Sequence, residues 1–91
     1  MNVFLAPEAE EQLNLLLEYL DSEWGAKVCD NFLEKFDRAL QTIAWSPAAY
    51  PFSTKFPGLH KCVVTRQTSI YYRILENEIE IAAVLDNRQD L

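Results

Sequence analysis

Two segments decide the fold of this chain: Ser69-Ile70-Tyr71-Tyr72-Arg73-Ile74-Leu75 and Ile79-Glu80-Ile81-Ala82-Ala83-Val84-Leu85. Both are rich in β-branched and aromatic residues and too short for buried helices, so they are predicted to be β-strands. Side chains alternate between the two faces of a strand, which predicts one core-facing set across both segments. That set consists of Ile70, Tyr72, Ile74, Ile79, Ile81, Ala83 and Leu85.

The residues between the two strands set how the strands pair. A two-residue loop at Asn77-Glu78 would pair Ile74 with Ile81 and Leu75 with Glu80, which brings matching faces together. A three-residue loop would mix the faces. Asn tolerates the left-handed backbone conformation that such a tight loop requires, which favours the two-residue loop.

The first part of the chain predicts a short strand and a helix. Asn2-Val3-Phe4-Leu5 is an apolar strand, and Pro7 fits the first position of a helix, where its missing N–H costs nothing. Asp21-Ser22-Glu23 is expected to break this helix. Its apolar stripe has i, i+3, i+4, i+7 spacing and consists of Leu13, Leu16, Leu17 and Leu20, widened by Leu15 and Tyr19.

A second helix is predicted from about Gly25 to Trp45, where Ser46-Pro47 ends it. Two helices joined by a tight break form an antiparallel hairpin that can lie across a sheet. A packed loop over residues 48–58 and a strand over 59–65 follow. The chain is therefore expected to be a single α+β domain of order β-α-α-β-β-β, with the helical hairpin on one face of a small, mainly antiparallel sheet. The apolar face of the second helix consists of Val28, Phe32, Phe36, Leu40 and Ile43.

The other face of this sheet is predicted to be uncovered, because both helices lie on one side. In the expected register it carries Tyr71 beside Val84 and Arg73 beside Ala82. Leu75 and Val63 or Val64 add apolar area. A mixed surface of this kind predicts a docking site for a partner.

Composition and charge narrow the classes of function. The chain has 91 residues, a hydrophobic fraction of 49% and a net charge of -6, which indicates one folded domain and argues against non-specific nucleic-acid binding. Residues 1–50 contain nine acidic and three basic residues, whereas residues 51–91 contain five of each, so the sheet half is neutral and could hold a small basic site. No membrane-spanning run or basic-apolar leader is visible, which predicts a cytoplasmic location and no membrane partner. Cys29 and Cys62 lack metal-ligand spacing and are expected to be buried free thiols.

Several short strings, taken in order, carry a resemblance to a known family. They are Pro7-Glu8-Ala9, Tyr19, Trp24-Gly25, Phe32, Ser46-Pro47, Phe56-Pro57-Gly58-Leu59-His60-Lys61, Ile70-Tyr71-Tyr72-Arg73-Ile74 and Leu85-Asp86-Asn87-Arg88-Gln89-Asp90. Over essentially the whole chain their order and spacing resemble the RelE/ParE superfamily, the small toxins of bacterial type II toxin–antitoxin pairs, also called plasmid-stabilisation proteins. The resemblance implies a cognate antitoxin protein as partner and neither a cofactor nor a metal.

The superfamily contains two kinds of toxin, and the resemblance leaves both open. RelE-like members are ribosome-dependent endonucleases that cut mRNA without a metal, which needs proton-transfer groups and cations around the phosphate. For that reaction the resemblance implies His60, Arg73 and Arg88 as catalytic residues, with Lys55, Lys61 and Tyr71 as further candidates. His60 stands where an Arg is expected, and neutral His offers fewer donors to a phosphate. The Tyr or His that many RelE-like enzymes carry beyond Arg88 is expected to be missing.

ParE-like members instead bind a target such as DNA gyrase and need only a surface. The sequence favours this alternative, and a non-toxic binding domain that retains the fold is also open. Arg73 and Arg88 could equally be structural, through pairing with Glu80 and Asp86. The antitoxin is expected to cover the outer sheet face as a helix or an extended segment. The predicted binding residues are Lys61, Tyr71, Arg73, Val84 and Arg88.

Overall fold

Residues 1–87 are described by a computed structural model, which contains two helices and a four-stranded mixed sheet. The elements are β1 (Asn2–Leu5), α1 (Pro7–Trp24), α2 (Ala26–Trp45), β2 (His60–Val63), β3 (Thr68–Ile74) and β4 (Glu78–Asp86). The sheet order is β1-β4-β3-β2, with β1 parallel to β4 and the other pairs antiparallel. This arrangement confirms the α+β fold and the order of elements predicted from the sequence.

The two helices meet at Gly25, which has a φ of 90°. Residues with a side chain rarely adopt this conformation, so glycine is favoured here for its backbone freedom. A Cβ at this position would meet nothing within 4 Å, so space is not the reason. The expected break at residues 21–23 is wrong, because α1 continues to Trp24 and the turn is made by the glycine.

The helices pack on one face of the sheet through part of their predicted stripes. From α1, Ala9 is buried and the Leu13, Leu16, Leu17 and Leu20 stripe packs partly buried against the core. Two predicted members of the α1 stripe are not in the core: Leu15 is 59% exposed and Tyr19 is 52% exposed. They lie toward the solvent side of α1, away from the stripe. From α2 the buried residues are Phe32, Phe36, Ala39 and Ile43, whereas Val28 is exposed.

The β3–β4 hairpin has a different register from the one predicted. Ile74 pairs with Ile79, and the loop consists of Glu76 and Asn77, closed by a 2.8 Å hydrogen bond from the Leu75 N–H to the Glu78 carbonyl. No residue other than glycine within the described chain has a positive φ, so Asn77 does not adopt the expected left-handed conformation. Relative to the predicted register, the pairing of β3 with β4 is displaced by two residues. Because side chains alternate with a period of two, each residue near the loop keeps its predicted face.

Farther from the loop, an irregularity in β4 changes which side chains face the helices. The register shifts between Tyr71 and Tyr72, so that Tyr72 pairs with Ile81 but Tyr71 pairs with Ala83. The extra residue, Ala82, forms a bulge, and a bulge reverses the alternation of faces beyond it. The core therefore receives Val84 instead of the predicted Ala83 and Leu85.

The strand beyond this bulge obtains a hydrogen-bond partner from a helix. The pairing of β1 with β4 ends at Leu5 and Ile81. Farther along β4, the Val84 N–H donates to Oε1 of Gln12 at 2.8 Å, so a side chain of α1 supplies the acceptor. A buried backbone N–H needs a hydrogen-bond acceptor, and because Gln12 supplies it, this contact fixes α1 on the sheet. Within residues 1–87, no helix combines the length and the apolar character that crossing a membrane requires.

Candidate functional site

The sheet face opposite the two helices is called the outer face. Cross-strand pairing places Lys61 beside Tyr71 and Arg73 beside Glu80, and Phe4 of β1 lies on the other side of Glu80. Directly opposed residues of adjacent strands share a face. The structure therefore brings together three of the predicted binding residues, Lys61, Tyr71 and Arg73.

Tyr71 lies on the outer face, but it is not exposed as predicted. Its side chain is only 1% exposed, because the Phe56 ring packs edge-on against it at a centroid distance of 4.9 Å. The ammonium group of Lys61 lies 5.8 Å from the centre of the Tyr71 ring. The prediction failed because face alternation says nothing about a loop that folds over the strand.

The loop that carries Phe56 is held by hydrogen bonds around Ser53. The Ser53 hydroxyl accepts from the backbone N–H groups of Lys55 at 3.1 Å and Phe56 at 3.0 Å, and the Ser53 N–H donates to the Leu59 carbonyl at 2.7 Å. Ser followed by a turn is a known local pattern of hydroxyl-to-backbone bonding. The role of Ser53 was missed at the sequence level, although this pattern is a signal that could have indicated it.

Arg73 occupies the part of the outer face that the loop leaves open. Its Nε lies 2.9 Å from Oε1 of Glu80, and half of the Arg73 side chain is exposed. This contact confirms the pairing with Glu80 that was considered from the sequence. An exposed pair of this kind contributes little to stability, so the guanidinium can exchange its partner.

His60 lies on the helix side of the sheet, opposite to Arg73. It pairs with Tyr72 of β3, and its ring is stacked between Phe52 at 4.2 Å and Tyr72 at 5.0 Å. Its Nδ1 is 2.7 Å from the Tyr50 carbonyl, which can only accept, so Nδ1–H is the donor. His60 is thus a buried stacking residue, and it does not form one site with Arg73.

Two titratable groups on the helix side of the sheet, Tyr72 and Cys62, have pKa values raised by burial. The Tyr72 hydroxyl donates to the Pro47 carbonyl at 2.6 Å, and burial raises the pKa of Tyr72 to about 12. Burial likewise raises the pKa of the Cys62 thiol. Cys62 is a buried free thiol as predicted, whereas Cys29 is free but only partly buried, so that half of the prediction was wrong. Within residues 1–87, no three His, Cys, Asp or Glu side chains cluster as a metal site would need.

One further predicted binding residue, Val84, does not lie on the outer face. Val84 is buried in the core, because the bulge at Ala82 turns it toward the helices, so its assignment to the binding surface was wrong. Arg88, predicted as both a catalytic and a binding residue, lies outside the described residues. Among the predicted apolar members, Val63 is exposed on the outer face, whereas Val64 packs against the core.

Comparison with known proteins identifies the family. The model of the ParE toxin of type II toxin–antitoxin systems (parDE) matches residues 3–91, so the chain belongs to the ParE toxin family. It is accordingly the toxin component of a type II toxin–antitoxin system. No curated protein matches the sequence significantly.

Solved structures of toxin–antitoxin proteins share the fold at low sequence identity. A chain of the chromosomal ParDE system from P. aeruginosa has a TM-score of 0.78 at 16% identity, covering 94% of this chain and 95% of its own. A YoeB/ParE toxin from Agrobacterium tumefaciens has a TM-score of 0.69 at 13% identity, covering 96% and 99%. A chain of the YoeB–YefM complex from Staphylococcus aureus has a TM-score of 0.62 at 15% identity, covering 93% and 94%.

Proposed function

We propose that this toxin acts by binding a protein target, with DNA gyrase as the target, and that a cognate antitoxin neutralises it. The observation that carries the proposal is the separation of His60 and Arg73 on opposite faces of the sheet. A metal-free ribonuclease needs its proton-transfer group and its cations around the same phosphate, whereas a surface that only binds a protein does not.

The chemistry of RNA cleavage argues against the alternative, a ribosome-dependent mRNA endonuclease. A general base must come within hydrogen-bond reach of the 2′-hydroxyl, with cations around the same phosphate. Nδ1 of His60 is already committed to Tyr50, and rings cover both faces of its imidazole. The Tyr71 side chain is buried beneath Phe56. Lys61 and Arg73 remain as cations, but the proton-transfer group expected beside them lies on the other face.

The outer face has the composition of a protein-binding surface. It combines the half-exposed Arg73, Lys61 and the exposed apolar side chains of Phe4 and Val63. Arginine and aromatic residues are enriched in interfaces, where they supply both apolar area and directional hydrogen bonds. The ParDE and YoeB–YefM structures, which share this fold, support an antitoxin as one partner.

The first test is pulse labelling of DNA and protein synthesis after induction of this chain alone in a bacterial host. We expect DNA synthesis to stop first while translation continues, and purified protein to inhibit supercoiling by gyrase. Arg73→Glu should weaken the effect because it reverses the charge on the outer face. Arg66→Glu, at an exposed position in the β2–β3 turn, is the matched control and should leave it unchanged.

Other outcomes of the same experiment would replace this proposal. If translation stops first, the ribonuclease alternative is correct, and His60→Ala and Arg73→Ala should be tested for loss of mRNA cleavage. If neither synthesis stops while soluble protein accumulates, a non-toxic binding domain is the better description in that host.

A further inference from the structure

The side of α2 that faces away from the sheet carries six side chains in a row, called the outward stripe. All six are exposed, whereas the buried residues of α2 lie on the opposite side of the helix, toward the sheet. Successive members are four or three residues apart in alternation, and this spacing keeps side chains in one line along a helix. The outward stripe consists of Lys27, Asn31, Glu34, Arg38, Gln41 and Trp45.

Members of the outward stripe are available to a partner. Trp45 is 91% exposed, the largest fraction of any large apolar side chain within residues 1–87. Tryptophan has a large apolar area whose burial is favourable, so this exposed ring favours association. Arg38 pairs with Glu34 at 3.1 Å, but both side chains are largely exposed, and such a pair is weak and can exchange its partner.

The order of residues in the outward stripe is complementary to its own reverse. The stripe is centred on position 36, and its members form three pairs at equal distances of two, five and nine residues from this centre. If two copies of α2 pack antiparallel around a twofold axis at this centre, each member therefore meets its counterpart in the other copy. The three pairs are Glu34 with Arg38, Asn31 with Gln41, and Lys27 with Trp45.

The two inner pairs join groups that attract each other. The Glu34 carboxylate accepts hydrogen bonds from the Arg38 guanidinium, and both groups are charged, which strengthens the contact. The side-chain amides of Asn31 and Gln41 each carry donors and an acceptor, so they can hydrogen-bond to each other. By symmetry each pair occurs twice in such a dimer.

The ends of the stripe add a third attraction, and the order of charges fixes the direction of packing. The Lys27 ammonium can lie over the Trp45 ring, and tryptophan is the aromatic side chain that attracts cations most strongly. A parallel arrangement would instead place Glu34 against Glu34 and Arg38 against Arg38, which is repulsive. The sequence of the stripe therefore favours the antiparallel pair.

We propose that two copies of this chain associate through their α2 helices, antiparallel and related by a twofold axis, with the outward stripe as the interface. Charge selects a second α2 as the occupant, because the charged side chains of α1 are all acidic and two α1 helices would repel each other. The inference goes beyond the proposed function, since the outward stripe and the outer face lie on opposite sides of the sheet.

The same symmetry predicts that the dimer is weak. Residues beside a twofold axis meet their own copies, so Lys35 lies near Lys35 and Asp37 near Asp37 of the second copy. These like charges flank the stripe on either side and oppose the attraction along it. A single pair of helices also forms a small, mainly polar interface, which is typical of transient association. We therefore expect a concentration-dependent equilibrium between monomer and dimer.

Sedimentation equilibrium of the full chain over a range of concentrations is the first measurement, and the wild type should form dimers as the concentration rises. Glu34→Arg and Arg38→Glu should each weaken the dimer about tenfold or more, because each replaces two attractions by two repulsions. Glu18→Arg makes the same change of charge at an exposed position of α1 and should dimerise like the wild type.

A mixture of the two weakened variants separates contacts between copies from effects within one helix. Each variant keeps its own like charges four residues apart, but in a mixed dimer every reversed charge meets an opposite charge, so affinity should return. The double variant Glu34→Arg/Arg38→Glu has the net charge of the wild type and should also regain the affinity of the wild type. Circular dichroism of each variant verifies that it is folded.

Trp45 reports directly on the interface. Trp24→Phe leaves Trp45 as the only tryptophan of the chain, and its fluorescence should move to shorter wavelengths as the concentration rises, because the ring leaves water. Adding Lys27→Ala to this variant removes the cation over the ring and should weaken the dimer a few-fold.

Other outcomes would overturn the inference. A wild type that stays monomeric at every concentration would do so, and so would a dimer that both charge reversals leave intact. A shift of the Trp45 emission only after another protein is added would replace the second copy by that protein. The Glu34→Arg variant should still stop DNA synthesis if the proposed function is correct, so the two proposals can fail independently.

Discussion

Tyr71 and Tyr72 are neighbours in the sequence and almost equally buried, yet they are buried in different ways. Tyr72 lies in the core beneath the helices, stacks on His60 and donates to the Pro47 carbonyl. Tyr71 lies on the outer face under a single loop, whose Phe56 covers it. One face of the central sheet is thus closed by two helices, and the other is closed only locally. We therefore expect a substitution under the loop to act locally and one under the helices to affect the whole fold.

The largest expected effect comes from the helix side. Tyr72→Ala should lower the free energy of unfolding by about 3–5 kcal/mol, the usual range for removing a large buried aromatic side chain. It also leaves the Pro47 carbonyl without its donor. Urea unfolding monitored by circular dichroism is the measurement. Tyr71→Ala is the matched comparison, and a loss as large as that of Tyr72→Ala would contradict the difference between the two faces.

The raised pKa of Tyr72 predicts a loss of stability in alkali. Unfolded tyrosine releases its proton near pH 10 and the folded residue near 12, so the stabilisation is complete below pH 10 and is lost as the pH rises from 10 to 12. A two-unit difference corresponds to a loss on the order of 2 kcal/mol. Urea unfolding at several pH values measures it.

Tyr72→Phe is the control for this pH dependence, since it removes the ionisable group and keeps the ring. The decline in stability above pH 10 should become shallower in this variant. Burial also raises the pKa values of Tyr50 and Cys62, so these two groups also lower the stability as the pH rises. Their contribution remains in the Tyr72→Phe variant. An unchanged slope in Tyr72→Phe would show that Tyr72 titrates normally.

Removing the loop cover should have a moderate effect. Phe56→Ala should cost about 1–3 kcal/mol, because the ring is only partly buried and an edge-on aromatic pair adds about 1 kcal/mol to its burial. Nitration of individual tyrosines is the measurement. In the Phe56→Ala variant, Tyr71 should become accessible to nitration, while Tyr72 stays protected. Nitration of both residues would mean that the loop stabilises the whole fold.

The smallest effect is expected for the ion pair on the outer face. Arg73→Gln should change the free energy of unfolding by less than about 1 kcal/mol, because the pair with Glu80 is half exposed and screened by water. The same variant should weaken target binding, measured by inhibition of gyrase. A large loss of stability without a loss of binding would reverse the role assigned to Arg73.

Most of the architecture could be predicted from local patterns. Pro7 and Ser46-Pro47 mark helix ends, and β-branched and aromatic runs mark the strands. Tyr72 was correctly placed in the core by alternation alone. The hairpin register and the faces of Ala83, Val84 and Leu85 were wrong, because the loop lies at Glu76 and Asn77 and the bulge lies at Ala82. Neither feature has a marker in the alternation pattern.

The candidate site was predictable as a set of residues but not as an arrangement. Tyr71 and Arg73 were correctly assigned to one face, since they alternate along one strand, whereas the face of Lys61 follows only from its pairing with Tyr71. That His60 lies on the other face followed from its pairing with Tyr72, which requires the register of a strand distant in sequence. The cover over Tyr71 depends on how a loop between Pro51 and Leu59 folds.

The sequence by itself determined the types and order of the elements, the side of the sheet that the helices cover and the acidic character of the helical half. These follow from periodicity and composition, which act over a few residues at a time. Only the tertiary structure decided that Val84 is core, that His60 is stacked and that Phe56 closes over Tyr71. Those outcomes depend on contacts between segments far apart in the chain, whose geometry no local pattern encodes.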